Sequence, residues 1–269
     1  MQEAAAGLLE KIRAQSPEVA KACHRQGEFP TLQCGVSHGG GQTQPMNHAN
    51  GPAKQCALDE LNSHPSFIRI ASFMNCKFRP GEFTTWANCF QAALATWAPK
   101  LHKHYVENIA SLLSNDNTLH HPFPNSIFPA TTYNLGPQTV CNQHFDFANL
   151  AYGWCGIAAL GKFDPTKGGH LVLWELGLVV EFPPGSVVLI PSTVISHSNT
   201  PIAPHEARYS VTQYAGGAIF RWVGSGFQKV STYQKSLKGK EKADLAGKDA
   251  ECWKTGVGLY PRIPYVSQM

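Results

Sequence analysis

Apolar residues recur at helical spacing in two stretches of the chain. Residues 2–23 have a weak helical period, which predicts an N-terminal helix packed on the domain. Residues 84–115 have a stronger one, which predicts an amphipathic helix with a break or kink at Pro99. We expect the apolar stripe of this second helix to support the outside of a β-sheet. Its members are Trp86, Phe90, Leu94, Trp97, Leu101, Tyr105, Ile109 and Leu112.

From Ile127 onward, short apolar runs alternate with turn residues, a pattern typical of β-strands. Such a series of short strands predicts a double-sheet jelly roll of the cupin type, a double-stranded β-helix. With its flanking helices, the fold class is α+β. The predicted strands are 130–135, 139–146, 156–161, 170–175, 178–182, 186–190, 208–214 and 218–223. Residues 34–45 are too glycine-rich for regular structure, and they fit either a substrate-side loop or a structural connector.

The composition favours one large domain. The chain has 269 residues, enough to bury a core, and 15% of them are charged, below the roughly 25% of typical soluble proteins. We predict a helix over 1–29, a core domain over 30–228 and a basic extension over 229–269 that is exposed or mobile. A net charge of +4 permits a polyanionic partner without requiring one.

The eight cysteines show no C-x-x-C pair, so the sequence indicates neither a zinc ribbon nor a redox motif. The first ten residues include acidic side chains and lack the apolar core of a secretion signal. No uninterrupted apolar stretch approaches the ~20 residues of a membrane span. We therefore expect an intracellular protein with reduced thiols and no membrane association.

The segment 142–146 carries the most informative chemistry. It places His144 and Asp146 two residues apart, so on a strand both side chains would point to one face. His197, at the end of a later apolar run, supplies a third donor. Two histidines and one carboxylate form the facial triad of non-haem Fe(II) oxygenases, which leaves positions open on the metal. The alternative is a core histidine with a surface aspartate.

Arg208 follows His197 by eleven residues and opens a further strand-like run. Its planar guanidinium matches a carboxylate, so it could grip a dicarboxylate through two parallel hydrogen bonds.

Three segments resemble the Fe(II)/2-oxoglutarate dioxygenases: 168–191, 197–201 and 208–214. Within that superfamily the chain is most similar to the TET/JBP-like branch expanded in mushroom-forming fungi, a likeness that 35–45 and 125–129 share. The resemblance covers roughly residues 30–228. It implies Fe(II), 2-oxoglutarate and O₂ as cofactor and co-substrates.

The resemblance also assigns roles by position. It implies that His144, Asp146 and His197 bind iron. Arg208 and Ser210 would hold the distal carboxylate of 2-oxoglutarate. His170 would lie near the C1 carboxylate, and a strand-edge histidine without that role stays open as the alternative.

For the substrate, the resemblance implies that Asn149 contacts the edge of a nucleobase and that Tyr214 stacks on it. An amide can both donate to and accept from a base edge, and a flipped base needs an aromatic face. The chain departs from the branch at Gly216, where TET enzymes have a histidine. Because of that departure, the resemblance does not specify the base, and both 5-methylcytosine and N6-methyladenine stay open as substrates.

The expected function is therefore oxidation of a methyl group on a base flipped out of methylated DNA, by a monomer in the nucleus. Two alternatives stay open. One is a hydroxylase of a protein side chain or small metabolite on the same fold. The other is a non-catalytic module that binds DNA through its lysine-rich tail.

Overall fold

The computed structural model describes residues 1–15, 26–75 and 93–261. Within them the helices are α1 (Gln2–Gln15), α2 (Pro52–Ser63), α3 (Pro65–Asn75), α4 (Ala93–Trp97), α5 (Pro99–Asn115), α6 (Gly217–Gly224), α7 (Val230–Ser236) and α8 (Gly239–Val257). The strands are β1 (Thr31–Ser37), β2 (Met46–Asn47), β3 (Ala130–Asn134), β4 (Cys155–Lys162), β5 (Leu171–Leu173), β6 (Leu178–Val180), β7 (Val187–Ile190), β8 (His197–Asn199) and β9 (Ala207–Tyr214).

The strands form two antiparallel sheets. The large sheet has the order β2-β1-β3-β9-β4-β7, and the small sheet has the order β6-β5-β8. Their inner faces meet in an apolar cluster that joins Cys155 and Ile190 of the large sheet to Leu171 and Leu173 of the small one. This arrangement confirms the predicted α+β fold with a jelly-roll core.

Helices cover the outer face of the large sheet. Leu9 of α1, Leu58 of α2 and Phe67 of α3 share one buried cluster with Tyr133 and Val211, which point outward from β3 and β9. A second cluster joins α5 and α6, with Tyr105 and Ile219 fully buried. These helices cover only the outer face of the large sheet, and its inner face lines the cavity described below.

The helix predicted over 84–115 is interrupted where the sequence placed a break. Within the described residues it forms α4 and α5, separated at Ala98 because Pro99 begins the second helix. Leu94, Leu101 and Tyr105 are buried as the stripe requires, but the prediction is wrong for Trp97, which is 74% exposed at the end of α4. Residues 84–92, with Trp86 and Phe90, lie outside the described part of the chain, and so do residues 16–23 of the predicted N-terminal helix.

Two elements differ from their predictions. The run 218–223 was predicted as a strand but lies in α6, because Gly216 and Gly217 end the strand and the apolar residues that follow have helical spacing, with Ile219 and Phe220 buried. The run 139–146 is not a continuous strand. Its one β-bridge is the isolated pair of His144 with His197, and Gln138, just before the run, forms another isolated bridge with Arg208.

The glycine-rich stretch contains regular structure that the sequence did not predict. Its first residues, 34–37, belong to β1. Gly35 has φ +90°, and a Cβ there would collide with the carbonyl oxygen of Pro129. Glycine is therefore what allows β1 to approach β3. Helices α2 and α3 were also missed, although each begins with a proline, Pro52 and Pro65, at its first position.

The basic extension forms α7 and α8 in its described part. Over α8, four lysines alternate with four acidic residues, so this helix carries no net charge. Just after α8, the chain is attached to the core because the Tyr260 hydroxyl donates to the carbonyl oxygen of Tyr152 at 2.6 Å. Among the described helices, none is both long and apolar enough to cross a membrane.

We expect Gly161→Ala to destabilise the fold. Gly161 of β4 lies opposite Arg208 of β9, has φ +119°, and leaves no room for a Cβ beside the Ala207 carbonyl oxygen. The free energy of unfolding should fall by about 2 kcal/mol or more, measured by urea denaturation. The exposed Gly7→Ala in α1 is the matched control and should be neutral or stabilising by up to about 1 kcal/mol. Equal effects of the two changes would contradict this account.

Candidate metal centre

A backbone pairing brings the two distant histidines together. The N–H of His144 donates to the carbonyl oxygen of His197 at 3.1 Å, and the N–H of His197 donates back at 3.0 Å. This reciprocal exchange is the hydrogen-bonded pair of an antiparallel ladder. It places the two imidazole centroids 4.4 Å apart. The chain then continues to Asp146, whose N–H donates to the carbonyl oxygen of Ser192 at 2.9 Å.

The three predicted ligands form one cluster of donor atoms. Nε2 of His144 lies 3.7 Å from Oδ1 of Asp146, and Nε2 of His197 lies 3.9 Å from Oδ2. One ligand atom from each residue lies within 4.8 Å of the others. Gln26 supports the carboxylate by donating from Nε2 to Oδ1 at 3.2 Å. Such a cluster can contact a single metal ion.

The surrounding hydrogen bonds select the imidazole form that binds metals. Nδ1 of His144 lies 2.6 Å from the carbonyl oxygen of Asn142, and Nδ1 of His197 lies 3.3 Å from that of Ile195. A carbonyl oxygen can only accept, so each Nδ1 carries a proton, and the neutral tautomer that this selects has its lone pair on Nε2, facing the cluster. Burial lowers the pKa of His197, which favours its neutral form. The donor set therefore fits Fe(II), with positions left for co-substrates.

Arg208 places a positive charge on the wall of the same cavity. Its side chain is buried, with 3% of the residue exposed. Nη1 donates to the carbonyl oxygen of Thr139 at 3.0 Å, whereas Nε has no hydrogen-bond partner among the described residues. Burial lowers the pKa of Arg208 to about 10, so the group stays charged at neutral pH. A buried cation with a donor to spare fits an anionic ligand such as the carboxylate of 2-oxoglutarate.

Strand β9 carries the polar wall of the cavity. Side chains alternate along a strand, so Arg208, Ser210, Thr212 and Tyr214 share one face and all line the cavity. The Ser210 hydroxyl accepts a hydrogen bond from Nδ2 of Asn134 at 2.7 Å. These residues turn inward while Tyr209 and Val211 pack outward against the helices.

The cavity has a volume of about 380 Å³ and brings together seven of the eight residues singled out from the sequence. His170 is the exception. Its ring Nδ1 lies 3.2 Å from the Thr200 hydroxyl, and it is not among the residues that line the cavity. The structure therefore does not bring His170 together with the other seven residues.

The two residues assigned to the base lie on the cavity wall. Nδ2 of Asn149 donates to the Ser192 hydroxyl at 3.3 Å, and the Tyr214 hydroxyl accepts from Thr132 at 3.4 Å. Burial raises the pKa of Tyr214, so its phenol stays neutral. Gly216 pairs with Asn149 through an isolated bridge, and the carbonyl oxygen of His38 lies 3.8 Å from the position of a Cβ there. The glycine-rich segment thus approaches the place where the expected histidine is absent.

Sequence reasoning missed several residues of the cavity wall, two of which, Thr31 and Gln33, belong to the unpredicted strand β1. Gln26, Thr31, Gln33, Thr132, Asn134, Phe145 and Phe147 also line the cavity. A signal was present in the run 31–34, where polar Thr31 and Gln33 alternate with buried Leu32 and Cys34. That alternation has the period of a half-buried strand.

No family model matches the chain, and no curated protein matches it. Among solved structures, NgTET1 in complex with 5mC DNA is 18% identical, with a TM-score of 0.44 over 78% of this chain and 68% of the other. A 2OG-Fe(II) oxygenase family oxidoreductase from Burkholderia pseudomallei is 15% identical, with a TM-score of 0.39 over 78% and 77%. The viral collagen prolyl hydroxylase of Paramecium bursaria Chlorella virus-1, in its 2OG complex, is 15% identical, with a TM-score of 0.27 over 51% and 76%. Because all three TM-scores are below 0.5, we base the functional assignment on the cavity itself.

We expect Asp146→Ala to abolish tight Fe(II) binding, because it removes the only anionic donor of the cluster. Affinity should fall by more than about 100-fold, since even the loss of a supporting residue costs roughly 10- to 100-fold. Anaerobic titration calorimetry with Fe(II) measures this directly. Asp244→Ala, which removes an exposed carboxylate from α8, should bind iron as the unaltered protein does. Unchanged affinity in Asp146→Ala would rule out the site.

Proposed function

We propose that the protein is an Fe(II)/2-oxoglutarate-dependent dioxygenase that oxidises the methyl group of a methylated base in DNA. One observation carries the oxygenase assignment. The His144, Asp146 and His197 donors line a single cavity with the buried Arg208, whose Nε has no hydrogen-bond partner within the described part of the chain. A metal-binding cluster beside a buried cation suits a co-substrate that chelates iron at one end and is anchored as an anion at the other.

In this proposal the side chains of the protein bind the iron and 2-oxoglutarate and orient the substrate. His144, Asp146 and His197 hold the iron, and the planar guanidinium of Arg208 takes the distal carboxylate of 2-oxoglutarate, with the Ser210 hydroxyl beside it. Bound iron, with 2-oxoglutarate and O₂, supplies the oxidising power to hydroxylate a C–H bond. The walls exclude water, so the co-substrate and the substrate methyl meet in a fixed geometry.

Two residues support a base as the substrate. Asn149 offers an amide that can donate and accept on a base edge, and Tyr214 offers a neutral aromatic ring. Both line the cavity that contains the iron ligands. We propose 5-methylcytosine as the substrate, converted to 5-hydroxymethylcytosine and further products, with N6-methyladenine as the other candidate base. A DNA substrate would place the protein in the nucleus.

The non-catalytic DNA-binding alternative uses the lysine-rich extension 229–269, which has seven lysines and one arginine against four acidic residues and so offers positive charge to phosphates. A module that only binds DNA would not need the cluster of metal ligands and the buried Arg208 that line one cavity, so we favour the oxygenase. Hydroxylation of a protein side chain or small metabolite would use the same iron and Arg208, and it is an outcome of the first experiment below.

The decisive experiment incubates the protein with Fe(II), 2-oxoglutarate and a duplex that carries both methylated bases. The DNA is digested and its nucleosides are counted by mass spectrometry, with Asp146→Ala as the inactive control. We expect oxidised methylcytosine that is absent from the control, and loss of methyladenine instead would name the other base. Unaltered DNA in the presence of bound iron would contradict a nucleic-acid substrate and favour a protein or metabolite.

We expect Arg208→Lys to weaken the use of 2-oxoglutarate. Lysine keeps the charge but loses the planar fork, so the KM for 2-oxoglutarate should rise roughly tenfold or more. Steady-state succinate formation against 2-oxoglutarate concentration measures it. A 2-oxo acid without a distal carboxylate serves as the control co-substrate, because both proteins should use it equally poorly. An unchanged KM would remove Arg208 from this role.

A further inference from the structure

Three polar side chains form a hydrogen-bonded chain beside the metal centre. Nε2 of Gln143 donates to Oγ of Ser196 at 3.0 Å, and that hydroxyl donates to Oε1 of Glu175 at 2.8 Å. The carboxylate of Glu175 also accepts the backbone N–H of Ser196, at 2.5 Å from Oε2. Gln143 directly precedes His144, and Ser196 directly precedes His197. The three side chains therefore join the two segments that carry the histidine ligands.

We call Gln143, Ser196 and Glu175 the clamp, and the chemistry of its groups fixes the direction of each hydrogen bond. An ionised carboxylate can only accept, so the single hydroxyl proton of Ser196 goes to Glu175 and a lone pair of its oxygen is left for the Gln143 amide. Hydrogen bonds to a charged acceptor are stronger than those between neutral groups. Ser196 is fully buried, whereas Glu175 is exposed. Glu175 is thus the member that holds Ser196 most firmly, through two charge-assisted bonds.

The glutamate of the clamp comes from a third segment, the 3₁₀ turn Trp174–Leu176 that follows β5. Other bonds hold this turn in place. The N–H of Trp174 donates to the carbonyl oxygen of Ser196 at 3.1 Å, and its indole Nε1 donates to Oγ of Ser198 at 3.1 Å. These two acceptors lie on either side of His197 in the chain. The turn is therefore anchored independently of the carboxylate, which is presented to Ser196 from a fixed position.

The backbone pairing at the metal centre leaves a role for such side-chain support. The pair of His144 with His197 is an isolated β-bridge and not part of a continuous ladder. The imidazole of His197 has a long hydrogen bond at Nδ1, 3.3 Å from the carbonyl oxygen of Ile195. Groups that support metal ligands from behind commonly change metal affinity when they are removed. The clamp spans the same two segments, one residue before each histidine, so it can restrain both ligands at once.

We propose that Glu175 is a positioning residue for the metal centre, which acts through Ser196 and Gln143 to hold the two histidine ligands side by side before iron binds. This inference rests on the metal site of the proposed function and is independent of the substrate. Glu175 is not among the residues that line the cavity, so it acts on the ligands through the clamp. Without it, part of the free energy of metal binding would go into ordering the ligand segments.

The test measures metal binding separately from activity. Anaerobic titration calorimetry gives the Kd for Fe(II), and the visible absorption of bound Co(II) reports the geometry of its ligands. Glu175→Ala should raise the Kd for Fe(II) roughly tenfold and shift the Co(II) absorption bands. Glu175→Gln keeps one acceptor oxygen, so its Kd should lie between those of the unaltered protein and Glu175→Ala. Glu181→Gln removes the charge of another exposed glutamate and should bind both metals as the unaltered protein does.

A double-variant cycle tests whether Ser196 links the other two members of the clamp. If the clamp acts as one unit, Gln143→Ala should raise the Kd less in the Glu175→Ala background than in the unaltered protein. The urea midpoint of each metal-free variant is measured beside the Kd. It should change little, because Trp174 anchors the turn without the carboxylate. If Glu175→Ala does not fold, Glu175→Gln decides by the same measurements.

The outcomes distinguish the clamp from the proposed function. An unchanged Kd in Glu175→Ala, with binding abolished in Asp146→Ala, would overturn the clamp and leave the metal site in place. Strictly additive effects of Gln143→Ala and Glu175→Ala would overturn the link through Ser196. No Fe(II) binding by the unaltered protein would overturn the metal site and the proposed function, and the clamp with them.

Discussion

The position of β9 in the middle of the large sheet is the constraint on which the site depends. It pairs with β3 on one side and with β4 on the other, over registers that run from Ala207 to Tyr214. Its outward residues Tyr209 and Val211 enter the core beneath the helices, and its inward residues line the cavity. A shift of one residue in the pairing register of β9 would turn its polar side chains toward the helices and its apolar side chains toward the cavity. The packing of the core therefore fixes the face on which Arg208 lies.

The residues of the metal site were easier to predict than the structure that carries them. His144, Asp146 and His197 were found from residue type and spacing, although 139–146 contains a single isolated bridge, at His144, and not the expected strand. The donors still converge because the reciprocal backbone hydrogen bonds between His144 and His197 hold the two histidines side by side without a continuous strand. Pairing between residues distant in sequence is not visible in a local pattern.

The predictions for two other elements were wrong, each for a physical reason. The strand β1 was hidden by glycines, since Gly35 permits a close approach that glycine-rich composition does not reveal. The helix α6 was predicted as a strand because a run of six residues, five of them apolar, fits either structure until its packing is known. The jelly roll was predicted because its strands 130–134, 155–162 and 207–214 are long enough to show their own periodicity.

The buried charge of Arg208 also links the folding of the protein to its chemistry. A buried guanidinium whose Nε has no partner in the described ranges is less favourable alone than when it pairs with a bound anion. By mass action, a ligand that binds only the folded form at about 100 times its dissociation constant stabilises that form by about 2.7 kcal/mol. The cellular supply of a small dicarboxylate would then set how long the protein survives proteolysis, before any substrate is oxidised.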